Sequence, residues 1–89
     1  MADIIKRDKR RQKFSRAKLE RSIILAARGA KLTTARGKQI AQDIAGGITK
    51  EISRRRSIKS TELRRKILSR LESRSKAMIS AWRRYDRKY

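Results

Sequence analysis

Lys6, Arg7, Lys9, Arg10, Arg11 and Lys13 form the densest chemical feature of the chain. On two short antiparallel strands, alternate side chains project to one face, where they converge with cations from a neighbouring helix. Convergent cations bind phosphate through charge and through hydrogen bonds that charge strengthens. The same run also suits a solvated sheet edge, because Lys and Arg discourage edge-to-edge aggregation, and spacing alone leaves both readings open. The acids offer less. Asp3, Asp8, Glu20, Asp43, Glu51, Glu62, Glu72 and Asp86 include no two at a spacing that suggests a metal pair or a general acid with its base. Ser15 and Lys18 stand where a nucleophile and its base would, but at a helix start the hydroxyl is better read as a cap. No catalytic residue and no metal ligand is assigned, and the chain is expected not to be an enzyme.

Composition narrows the field further. The 89 residues include no Cys, His or Pro, which leaves no zinc site of Cys and His, no thiol nucleophile and no imidazole base. Lys and Arg number 28 against 8 Asp and Glu, a formal charge of +20. Such a surface repels itself unless an anion neutralises part of it, so a polyanionic partner is expected, DNA or RNA before an anionic membrane. No apolar run approaches the ~18 residues of a membrane span, and Met1-Ala2-Asp3 does not open a secretory signal, so the expected location is the cytoplasm, with nucleoid or ribosome association open.

The elements that must position these groups follow from periodicity. Asp3–Arg7 and Arg10–Phe14 are two extended runs around Asp8-Lys9. A two-residue turn there wants positive φ, so Lys9 in the usual Gly position costs ~1 kcal/mol or forces a longer loop. Ser15 is expected to cap a helix over about 16–28, with Leu19, Ile23, Ala26 and Ala27 on one side and Gly29 as its end. Thr33 or Thr34 caps a second, in which Ile40, Ala41, Ile44, Ala45, Ile48 and Ile52 make the most apolar stripe. Gly46-Gly47 inside it reads as a close helix crossing or a bend. Ser57-Ile58-Lys59 is a candidate third strand, and Ser60 a cap for a helix that buries Leu63, Ile67, Leu68 and Leu71. After a break at Ser73–Ser75, a last helix carries Met78, Trp82, Tyr85 and Tyr89 on one stripe and Ala77 and Ala81 on another. The spacing of these aromatics favours core packing over stacking on bases. The fold class is mainly α: one domain over 1–89, with a short N-terminal β-hairpin capping a four-helix bundle.

Two strings carry a resemblance. Ile4-Ile5-Lys6-Arg7-Asp8, followed by Phe14-Ser15-Arg16-Ala17-Lys18-Leu19, resembles the signature of the ATP-cone, the nucleotide-sensing domain of ribonucleotide reductases and of the bacterial repressor of their genes. Ser57-Ile58-Lys59-Ser60-Thr61-Glu62-Leu63 and Ala81-Trp82-Arg83-Arg84-Tyr85-Asp86-Arg87 extend the match over nearly the whole chain. The resemblance implies ATP or dATP, with Mg2+ as a possible companion, between the β element and the first and last helices. It implies that Lys6, Arg7 and Lys18 contact phosphates, that Ile4 contacts the base, and that Ser60 and Arg87 contribute from later helices. Gln12 stands where some members carry an acid that reads the adenine amino group, and its amide oxygen can accept the same bond. Ser15 replaces Asp or Asn, Arg64 replaces a His of some members, and Lys9 replaces the turn Gly.

The cations exceed what a nucleotide needs. Lys9, Arg10, Arg11, Lys13, Arg54, Arg55, Arg56, Arg65, Arg83, Arg84 and Lys88 are therefore candidate contacts to a nucleic-acid backbone, carrying little sequence information. Three functions stay open: a nucleotide-binding regulator that also contacts DNA or RNA, a nucleotide-independent structural protein of chromatin or ribosome, and an adaptor for an acidic protein partner. The oligomeric state is not legible.

Overall fold

The structure is a computed structural model that describes residues 2–85. Arg87, Lys88 and Tyr89 lie outside the described residues. Three strands and four helices follow in the order β1 (Asp3–Ile5), β2 (Arg11–Lys13), α1 (Arg16–Gly29), α2 (Thr34–Ile52), β3 (Ser57–Lys59), α3 (Ser60–Glu72) and α4 (Lys76–Tyr85). The chain is mainly helical with one small sheet.

The sheet runs β2-β1-β3, with β1 antiparallel to β2 and parallel to β3. The strands are three residues each, shorter than the extended runs read from the sequence, because the chain turns at Lys6. The Lys6 N–H donates to the Arg10 carbonyl, and the Lys9 N–H closes the turn onto the Lys6 carbonyl, both at 2.9 Å. Arg7, Asp8 and Lys9 thus form a three-residue loop whose last member is left-handed, with Lys9 at φ 69. Both alternatives posed by the missing Gly are realised: the loop is longer and Lys9 is strained. Asp8 steadies it, accepting from the Arg10 N–H at 3.1 Å and the Arg10 Nε at 2.6 Å.

Ser15 caps α1 as expected, its Oγ accepting from the Lys18 N–H at 3.2 Å, and Thr33 does the same for α2 through the Arg36 N–H. Gly29 ends α1 as expected: it is the last helical residue, and the chain reverses at Lys31, φ 61. One other expectation needs correction: Ser60 does not cap α3. The cap position is Lys59, which supplies no side-chain bond, and Ser60 is the buried first residue of the helix.

One core joins sheet and helices: Ile4 and Ile58 from the strands, Leu19 and Ile23 from α1, Ile40, Ile44 and Ile48 from α2, Leu63, Ile67 and Leu71 from α3, Met78 and Trp82 from α4. Burial of each large aliphatic contributes roughly 1.5–3 kcal/mol, enough together to hold helices that are marginal alone. Leu68 is only partly buried, and Ala77 is exposed. Trp82 is fully buried, its Nε1–H donating to Ser22 Oγ at 3.3 Å, so its aromatic surface is spent on joining α4 to α1. The close helix crossing falls at Gly37, where an added Cβ would come within 2.9 Å of the Ala27 Cβ. Gly46 and Gly47, read from the sequence as that crossing or a bend, instead make room for two guanidinium groups, Arg16 over the first and Arg70 over the second.

Candidate functional site

Parallel pairing of β1 with β3 decides where the site forms. It sets Ile5 opposite Lys59 and delivers the start of α3 beside the hairpin loop. Between them lies a cleft of about 360 Å³ lined by Ile5, Lys6, Arg7, Lys9, Lys59, Ser60 and Thr61. Four cations surround the N-terminal end of a thirteen-residue helix whose first turn has no side-chain cap. The partial positive charge of that helix end adds to the cations, so the cleft suits a phosphate chain.

The structure therefore brings together Lys6, Arg7 and Ser60, three of the residues singled out in the sequence. Lys9, assigned there to nucleic acid, lines the same cleft. Lys59 and Thr61 were missed. The available signal was position, since both flank Ser60 in a segment that leads into a helix.

Ile4 and Gln12 occupy the neighbouring register position, facing one another across β1 and β2, with Ile58 on the other side of Ile4. Ile4 is 1% exposed and belongs to the core. Side chains alternate along a strand, so Gln12 shares the core side of the sheet with it, and Lys6 continues that side beyond the strand end. The Oε1 of Gln12 is buried and has no hydrogen-bond partner. An acceptor left in that state costs about 1–3 kcal/mol, and a donor supplied by a ligand would remove the cost. Ser15 and Lys18 stand at the start of α1, the hydroxyl occupied by the Lys18 N–H and the Lys18 side chain exposed. Arg64 is half-buried on α3.

The family model of the ATP cone domain matches residues 2–89. The chain belongs to the ATP-cone family. No curated protein and no solved structure matches it. The cationic cleft at a helix start fits the phosphates of a nucleotide, and Gln12, outside the lining of that cleft, holds an orphaned acceptor.

Other charges of the ATP cone are already engaged. Arg55 grips Glu62 with both terminal nitrogens, at 2.5 and 3.0 Å, and Glu51 on α2 accepts from Lys66 at 2.9 Å and from Arg70, both on α3. Hydrogen bonds from Lys66 first and Arg70 second hold the Glu51 carboxyl below its ordinary value, as Arg55 does for Glu62. Arg74 reaches Asp43 at 3.1 Å. Arg54, Arg56, Arg65, Arg83 and Arg84 are exposed. Among the described residues no group of three or more His, Cys, Asp or Glu is placed to hold a metal ion, and no helix is long and apolar enough to cross a membrane.

Proposed function

We propose that this ATP cone is a non-enzymatic regulator that binds ATP or dATP and contacts DNA or RNA through its basic surface. The cleft between the hairpin loop and the start of α3 carries the proposal. Lys6, Arg7 and Ser60 take the phosphates there, with Lys9 and Lys59 adding charge. The base lies toward Ile4 and Gln12, where the adenine amino group donates to Gln12 Oε1. Lys18, Ser15, Arg64 and Arg87 complete the site by resemblance, and any Mg2+ arrives with the triphosphate. A surface of +20 outlasts neutralisation by one nucleotide, which supports a second, polyanionic partner.

A thermal-shift series with ATP, dATP, GTP and pyrophosphate at fixed ionic strength tests this. At a hundredfold excess over Kd the adenine nucleotides stabilise by about 2.7 kcal/mol, a rise in Tm on the order of 10–20 °C. Equal shifts with pyrophosphate and GTP would reduce the cleft to generic anion attraction. They would leave the nucleotide-independent nucleic-acid protein as the better account.

A further inference from the structure

The cleft and the open face of the sheet share side chains. Ile4 and Ile58 point to the core, so their neighbours Ile5 and Lys59 face away from it, and these two also line the cleft. Ile5 is in turn the register partner of Arg11, which makes Arg11, Ile5 and Lys59 one row across the outer face. Lys13 stands on the same face of β2 and is exposed, as are Arg11 and Lys59. Arg11 spends little of its charge locally, its nearest carboxylate being Asp3 at 3.7 Å. Arg11 and Lys13 on β2 and Lys59 on β3 thus flank Ile5 and Asp3 of the central strand, and Lys59 belongs to both the outer face and the cleft.

From this arrangement we infer that a nucleic-acid backbone lies along the outer face over Arg11, Lys13 and Lys59, and that a triphosphate in the cleft displaces it. The inference rests on the nucleotide site proposed above and adds to it a surface, a partner and a direction of coupling. Lys59 cannot neutralise a nucleotide phosphate and a backbone phosphate in full at once. Two polyanions held at Lys59 also repel one another, more strongly as ionic strength falls. Nucleotide and nucleic acid are therefore antagonists, and each weakens the other by the same factor.

The test is fluorescence anisotropy of labelled 20-nucleotide single-stranded DNA, single-stranded RNA and duplex DNA with the whole protein, titrated with ATP at constant ionic strength, beside calorimetric ATP binding with and without saturating oligonucleotide. ATP raises the oligonucleotide Kd at least tenfold, sulfate matched for ionic strength does not, and oligonucleotide raises the ATP Kd by the same factor. Arg11→Ala/Lys13→Ala weakens oligonucleotide binding at least fivefold, lowers its log-log salt slope by about 1.5, and leaves ATP affinity unchanged. The three oligonucleotides decide between DNA and RNA, and antagonism with any of them supports the inference. Normal ATP binding that oligonucleotide does not alter overturns the antagonism while the nucleotide site stands, as does failure to bind any of the oligonucleotides. Failure to bind ATP in the absence of oligonucleotide overturns both the site and the antagonism.

Discussion

Ile4 and Gln12 are register partners across β1 and β2, one sealed in the core and the other presenting a buried amide oxygen that nothing satisfies. An unpaired acceptor at this place is tolerable if a ligand donor completes it. Gln12→Met removes the acceptor while keeping an unbranched side chain of similar length. The variant is expected to melt at the same temperature as the parent or slightly above, because an unmet polar atom is gone. Its preference for ATP over GTP, read by competition calorimetry, falls at least fivefold.

Two lysines hold left-handed backbone, Lys9 in the hairpin loop and Lys31 after α1. Left-handed conformations cost non-Gly residues roughly 1–2 kcal/mol, offset in part by the greater chain entropy that Gly loses on folding. Lys31→Gly is expected to raise stability by about 0.5–1 kcal/mol in urea denaturation, with ATP binding unchanged. Lys9→Gly gives a similar gain but weakens ATP, since it removes a cation from the cleft.

Glycines of α2 differ in what surrounds them. Gly37→Ala places a Cβ against the Ala27 Cβ at the α1–α2 crossing and is expected to destabilise by about 1–3 kcal/mol. Gly46→Ala meets only the end of the long Arg16 side chain at 3.3 Å, which can give by a few tenths of an ångström, so the helix-propensity gain prevails, about 0.5–1 kcal/mol of added stability. Paired urea melts of the two variants check the opposite signs.

Glu51 links α2 to α3 through Lys66 and Arg70, which depress its pKa below the ordinary 4.5. A carboxylate whose folded pKa is depressed adds stability at pH values above its unfolded pKa, and that stability disappears as pH falls through the folded value. Thermal melts between pH 7 and pH 2.5 are expected to show Tm falling from about pH 4.5 downward. Glu51→Gln starts from a lower Tm at pH 7 and shows a shallower fall. The effect is small, because these groups are partly exposed to solvent.

The helices were legible because their apolar residues recur at helical spacing: Leu19, Ile23, Ala26 and Ala27 in α1 and the Ile stripe of α2 are buried as the pattern requires. Trp82 in the core follows the same logic. The cleft was only half legible. Lys6 and Arg7 were legible as part of a cation cluster and Ser60 as a helix start, with the resemblance adding their individual roles, but Lys59 and Thr61 depend on the parallel β1–β3 pairing. Three-residue strands joined across two helices leave no periodic signal for that pairing. Gly37 escaped notice for a related reason: its neighbour Ala27 belongs to another helix, whereas the visible Gly46-Gly47 pair faces long Arg side chains.

Titration calorimetry with ATP on the parent chain and on Lys6→Ala/Arg7→Ala, at constant ionic strength and with circular dichroism to confirm the fold, is the most direct test. One site of micromolar Kd is expected in the parent, weakened at least tenfold in the folded double variant. Equal ATP affinity in the two proteins, or no binding to either, would contradict the assignment of the cleft.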